Sequence, residues 1–337
     1  MTSLLTPKAY KPPFPYFGGK SKVATEVWRR FGAARNFVEP FCGSAAMLML
    51  RPGPWEGTET VNDADGMICN FWRAVQWAPE EMSKWADWPV IENDLHARHI
   101  WLRERREILT GRLEGDPEYF DAKIAGWWCW GQCCWIGGGW CDPNTTGPWG
   151  WVIGEDGFRQ LAHLGNGGHG VSRKRVHVGN AGRGVNRRRV NLHWARGVAR
   201  TSNGDLADYF RSFTDRLKHV RVCCGDWRRV CGLTPTVKQG LTAVFLDPPY
   251  GDAAKRDMQL YTKDSGTVAG EVRQWAIEHG DDPRMRIALC GYAGEHAMPT
   301  DWFEWAWKAN GGYSKRGTTA YGNARRERIW FSPHCLP

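Results

Sequence analysis

The chain has no long apolar run: nowhere do its 337 residues approach the ~18 consecutive apolar positions that a membrane helix needs. A secretory pattern is missing too, because the only apolar stretch near the start is Leu4-Leu5. A soluble cytoplasmic protein is expected, with its eleven cysteines as thiols rather than a disulfide framework. No two of them stand in the C-x2-C spacing that structural zinc sites usually show. Cys129, Cys133, Cys134 and Cys141, with His163 and His169 beyond them, are therefore not read as a metal site. Acidic residues are missing from one long stretch. Between Asp156 and Asp205 there is no Asp or Glu, while Arg159, Arg173, Lys174, Arg175, Arg183, Arg187, Arg188, Arg189, Arg196 and Arg200 all fall inside the gap. These basic residues alternate with Gly, Asn and Ser and do not line a helix face. An arm that tracks phosphates fits them. A solvated loop is the alternative, but so many like charges without acids would repel for no gain.

Present instead are a net charge of +9, which suggests a polyanionic partner without proving one, and 21 tryptophans. Seven of these lie between Trp127 and Trp151. They could stack on bases, but filling the core of a Gly-rich module is the favoured reading, because large aromatics dominate small cores. Along the chain, Lys22 to Phe31 has helical spacing and Asn36 to Glu39 reads as a short strand. Ser44 can cap a helix running to Leu50, Thr58 to Asn62 is a second strand, and Gly66 to Trp77 is a helix. Residues 80–125 are charged and mostly helical. From Gly126 to Thr201 Gly, Trp and Arg dominate and helical periodicity disappears. Order returns with a helix at 205–217 and strands at 220–224 and 243–246. A helix near 271–279 and strands near 286–290 and 328–331 complete the pattern, with helix or loop leading to Trp302. This pattern is expected to give an α/β sheet interrupted by a second module. The expected division is 1–79, an insert at 80–204, and 205–337.

Three constellations carry chemistry. Asp247-Pro248-Pro249-Tyr250 directly follows the apolar strand at 243–246. A carboxylate and a backbone carbonyl held by a stiff turn can accept both N–H bonds of an aromatic amino group and so direct its lone pair. Asp247 and Pro248 supply those two acceptors, and Tyr250 can stack on an extruded base. An ordinary strand-to-turn tetrapeptide is the bland alternative, weakened because ligand sites lie at the carboxyl ends of such strands. Phe37 to Ser44 runs a strand into a Gly turn that opens a helix, a geometry in which backbone N–H groups can approach a ligand. Asp63 ends the next strand, about twenty residues on, where an acid can accept from ribose hydroxyls; a helix N-cap is the equal alternative.

Taken in order, Pro15 to Lys20, Val38 to Gly43, Asn62-Asp63, Cys224 to Trp227 and Asp247 to Tyr250 resemble the motifs of the Dam-type (D12 class, α-group) adenine-specific DNA methyltransferases. The closing Arg325 to Phe331 is similar to that family's last strand. The resemblance covers 15–77 and 205–332 and leaves the insert unmatched. It implies a Rossmann-like S-adenosylmethionine-dependent methyltransferase fold with an inserted target-recognition region. It also implies N6-methylation of adenine in double-stranded DNA with S-adenosylmethionine as cofactor and no metal. Tyr16, Lys20, Phe41, Gly43 and Asp63 would line the cofactor pocket, Asp226 would lie near its adenine, and Asp247, Pro248, Pro249 and Tyr250 would hold the target base. Arg173, Lys174, Arg175, Arg187, Arg188 and Arg189 are expected on DNA. A monomer is expected, with a dimer on DNA the alternative; no restriction partner is implied. Ala45 stands where the family often has a second glycine. Pro15 stands where it often has a lysine that helps read GATC, so the resemblance does not extend to GATC as the target. The competing readings are methylation of cytosine N4 or RNA adenine, and a DNA-binding homologue without catalysis.

Overall fold

The computed structural model describes residues 12–14, 16, 19–53, 57–116, 118–135, 140–142, 151–153, 159–161, 206–250, 268–308 and 326–337. Among them the strands β1 (Asn36–Glu39), β2 (Thr58–Asp63), β5 (Val220–Cys224), β6 (Thr242–Leu246), β7 (Met285–Tyr292), β8 (Phe303–Ala306) and β9 (Glu327–Phe331) form one mixed sheet. A separate antiparallel pair joins β3 (Trp151–Ile153) to β4 (Arg159–Leu161). The order of the large sheet is β5-β2-β1-β6-β7-β9-β8. Its first five strands are mutually parallel, and β9 runs antiparallel to both β7 and β8. Strand order reverses at β1, whose neighbours are β2 on one side and β6 on the other. In open α/β sheets a crevice forms at such a point, outside the carboxyl ends of the strands.

The apolar strand residues divide by period two between two layers, as a sheet covered on both faces requires. Phe37, Ala243, Phe245, Ala288, Cys290, Ile329 and Phe331 join one core; Val38, Val244, Leu246, Ile287, Leu289 and Trp330 join the other. The first layer holds α1 (Ala24–Phe31), the short α2 (Ala46–Met49), α3 (Gly66–Trp77) and α7 (Leu206–Leu217). The second holds α8 (Arg228–Cys231) and α9 (Val268–His279). At the opposite end of the sheet from the crevice, Glu59 on β2 is buried between Arg51, at 2.9 Å, and Arg216 of α7, at 2.7 Å.

Helices α4 (Pro79–Ala86), α5 (Glu92–Gly115) and α6 (Ala122–Cys134) fall in the span read from sequence as an insert. Met82, Leu102 and Trp128 of these helices belong to the same core as Phe37 and Phe245. The expected loss of helix after Gly126 is corrected by α6, which continues to Cys134. Apart from the half-buried Trp127, its apolar residues are buried around the helix, so no amphipathic stripe marks it in the sequence. Its glycines are contact points: a Cβ on Gly126 would lie 2.5 Å from the Trp85 side chain, and one on Gly131 would lie 1.8 Å from the Trp140 ring. Trp128, Trp130, Trp135 and Trp140 are buried and Trp127 is half-buried, which supports the core-filling reading for the first four. The side chains of Trp149 and Trp151 lie outside the described residues. Strand β8, directly after Trp302, was not expected. None of the eleven cysteines, all within the described residues, is in a disulfide. No described helix is long and apolar enough to cross a membrane.

Candidate active site

The motifs meet along the carboxyl edge of the parallel strands. The chain enters through Phe14, which is buried against Phe71 and Trp128 at ring distances of 5.0 and 4.9 Å. This anchor delivers Tyr16 to the turn after β1. Gly43 has φ +47° there, and a Cβ on it would meet the Tyr16 ring at 2.6 Å. Glycine is needed for both the conformation and the close approach. Ala45, two residues on, also holds a left-handed conformation, with φ 50° and ψ 38°, at a cost that glycine would not incur.

Asp63 closes this turn from β2. Its Oδ2 accepts the Gly43 N–H and its Oδ1 the Asp65 N–H, each at 2.9 Å. Burial, reinforced by the Asp65 charge, pushes its pKa up to about 6. The N-cap of α3 is Asp65, whose Oδ1 accepts the Met67 N–H at 2.9 Å and which pairs with Arg106 of α5. The capping role weighed for Asp63 therefore falls to Asp65. A carboxylate has about four acceptor positions, so Asp63 can still accept from ligand hydroxyls. Beside it Asn62 donates through Nδ2 to the carbonyls of Pro40 and Gly225, both at 3.0 Å, and ties the turns after β1 and β5 together. Among the described residues its buried Oδ1 has no hydrogen-bond partner, nor does the Trp227 indole N–H. Phe41 lies against Trp227 with ring centroids 6.1 Å apart. Asp226 is exposed, and its carboxylate accepts the Arg228 N–H at 2.8 Å and the Arg228 guanidinium at 3.0 Å. In this arrangement it serves the start of α8.

Asp247 follows β6 on the other side of β1. Lys20, nearly fully buried before α1, places Nζ 2.9 Å from Asp247 Oδ1 and 4.0 Å from Glu327 Oε2. The Tyr250 hydroxyl donates to Glu327 Oε2 at 2.9 Å and lies 3.3 Å from Asp247 Oδ1. Burial opposes the Lys20 charge, but the Asp247 and Glu327 carboxylates together raise its pKa above the ordinary value. Burial raises the Glu327 carboxyl, with Lys20 opposing the shift. Lys20, expected in the cofactor pocket, thus touches the residue expected to hold the target. Tyr250 is buried, with its ring edge-to-face on Tyr292 at 4.6 Å, so it is not presented here as an open stacking surface. Pro248 is buried and Pro249 half-buried. Trp307 flanks Lys20, with Nζ 5.9 Å from its ring centroid.

Glu39, at the end of β1, sits between the two halves. It is buried, accepts the Leu48 N–H at 3.2 Å, and is held well above the carboxylate range by burial, with Asp247 and Asp63 both adding to the shift. Sequence reasoning assigned no role to Glu39, Glu327 or Trp307. Glu327 opens β9 directly before Arg328, so nothing local in the sequence marks it. Arg173, Lys174, Arg175, Arg187, Arg188 and Arg189 lie outside the described residues, as do Pro15, Phe17 and Gly18 of the first motif. Among the described residues no group of three or more His, Cys, Asp or Glu could hold a metal ion. No protein-family model and no curated protein matches the chain.

Proposed function

We propose that this protein is an S-adenosylmethionine-dependent DNA methyltransferase acting on N6 of adenine. The observation that carries the reading is Asp247. It stands at the mouth of β6, beside the point where strand order reverses, with Oδ1 engaged by Lys20. Among the described residues no hydrogen bond involves its Oδ2. Asp247 and Asp63 follow strands separated by β1 alone, two inter-strand spacings or about 10 Å apart, a separation suited to one ligand held between them.

The residues around Asp63 fit a nucleoside cofactor. A carboxylate with acceptor capacity faces a glycine turn, Phe41 of that turn lies against Trp227, and Asn62 Oδ1 and the Trp227 indole N–H have no hydrogen-bond partner among the described residues. When bound, S-adenosylmethionine supplies a methyl group activated by the sulfonium. Tyr16, Phe41, Gly43 and Asp63 would hold it. The chain's own work is done at the amino group. Asp247 Oδ2 and the Pro248 carbonyl accept its two N–H bonds and turn the nitrogen lone pair to the crevice. The carboxylate also stabilises positive charge developing on that nitrogen and can receive the departing proton. Positioning and electrostatics suffice, with no covalent enzyme intermediate. The sheet order is compatible with the Rossmann-like methyltransferase fold that the motif resemblance implies.

The test is direct. Purified chain is incubated with methyl-labelled S-adenosylmethionine and duplex DNA, and the digested nucleosides are separated by mass spectrometry. N6-methyladenine is the expected product. N4-methylcytosine would move the assignment to the other exocyclic amine. Cofactor binding with no methylated nucleoside would replace the enzyme by a binding protein.

A further inference from the structure

We propose, resting on that reading, that Glu327 is a positioning residue for the transfer: from the first position of β9 it holds Lys20 and Tyr250 against one oxygen of Asp247, leaving the other oxygen for the substrate amine. Strand direction makes this possible. Because β9 runs antiparallel to its neighbours, its first residue lies at the edge where the parallel strands end, and Glu327 pairs in register with Tyr292 at the end of β7. From there Oε2 accepts the Tyr250 hydroxyl at 2.9 Å and stands 4.0 Å from Lys20 Nζ. Lys20 and Tyr250 both meet Asp247 at Oδ1.

The arrangement combines two carboxylates with one ammonium, a net charge of −1 in a site where Lys20 and Glu327 are buried and Asp247 is half-buried. Two consequences follow from the charges. Lys20 is shared, so Asp247 remains a stronger acceptor than it would be in an exclusive ion pair. Burial also raises the Glu327 carboxyl, so the charge at 327 itself changes with pH. A neutral side chain at 327 would remove both effects while keeping an acceptor for Tyr250. A truncated one would also release Lys20 and Tyr250.

Two variants of the full chain, Glu327→Gln and Glu327→Ala, separate positioning from mere support of the fold. Three readouts are needed: S-adenosylmethionine affinity by calorimetry, single-turnover methyl transfer to duplex DNA against pH, and the ammonium NMR signal of Lys20, identified by its loss in Lys20→Met. For Glu327→Gln, cofactor affinity should stay within about two-fold and the acid limb of the rate profile should move to lower pH by about one unit. For Glu327→Ala, the rate should fall at least ~10-fold, since misplaced reacting groups are costly, and the Lys20 signal should broaden or vanish. A residue that only supports the fold would lower the rate in both variants without moving the limb. An unmoved limb in Glu327→Gln, or an unchanged Lys20 signal in Glu327→Ala, overturns the proposal. If the wild type methylates no duplex, the enzyme reading fails, and the Lys20 signal alone still decides whether Glu327 positions that side chain.

Discussion

Asp247 and Asp63 are carboxylates at the carboxyl ends of two parallel strands separated by β1, and their environments differ. Asp247 has an ammonium on one oxygen, and its side chain is half-buried. Asp247→Ala is expected to lower methyl transfer at least ~100-fold, the scale of losing an oriented group at the reacting atom, while cofactor affinity measured by calorimetry stays nearly unchanged. Retention of more than about a tenth of the wild-type rate would remove Asp247 from the chemistry. Asp63 is tied to two backbone N–H groups, and burial lifts its pKa to about 6. The ionised form accepts from a hydroxyl more strongly than the neutral acid, so cofactor affinity should hold above about pH 6 and weaken as pH falls through that value. Asp63→Ala should cost ~1–3 kcal/mol in affinity at neutral pH, as for a charged hydrogen bond, and should flatten the pH dependence. Calorimetry at pH 5 and pH 8 on both proteins reads the two effects together.

Among the elements, α6 shows why burial around most of its circumference hides a helix from sequence reasoning. Gly131 admits the Trp140 ring, whose indole N–H donates to the Trp128 carbonyl at 3.0 Å. Gly131→Ala has favourable intrinsic propensity, yet its Cβ would fall 1.8 Å from that ring. Overpacking should win, and a loss of about 1–3 kcal/mol is expected, read as a lower midpoint in urea with an unchanged slope. An equal or higher midpoint would mean that the Trp140 contact is dispensable. The strands behaved differently. Asn36 to Glu39 and Val220 to Cys224 were readable because each carries Phe or Val, which favour strands, and runs into a proline or glycine turn. The antiparallel β9 was found as a strand, but its direction was not, and direction is what brings Glu327 to the site.

For the molecule as a whole, the net charge of +9 is concentrated by the ten basic residues of the acid-free segment. Apart from the short strand β4 at its start, that segment lies outside the described residues, so its role rests on the sequence. If Arg187, Arg188 and Arg189 neutralise phosphates, replacing all three by Ala should flatten the slope of log affinity against log salt by about two to three units, with site preference little changed. Titration of labelled duplex at several salt concentrations distinguishes this from a solvated loop, for which the slope would not move. A lost preference at constant slope would instead place these arginines on base edges.

What the sequence alone determined is local. Period-two apolar runs, glycine and proline turns and helical spacing depend on neighbours a few residues away. They were enough to locate most strands of the large sheet and the order of the motifs along the chain. The tertiary structure decided which of those motifs touch. Lys20 and Asp247 are more than two hundred residues apart and meet only because β1 and β6 are adjacent and α1 begins at the same edge. Tyr250 turns inward because Glu327 offers its hydroxyl an acceptor in a buried site, where an unpaired hydroxyl would be costly. Helices α4 to α6 join the core of the sheet because their apolar faces find Phe14, Phe71 and Trp72 there. Composition showed a shift at that point in the chain. It could not show what those faces would pack against, because burial is a property of the assembled layers.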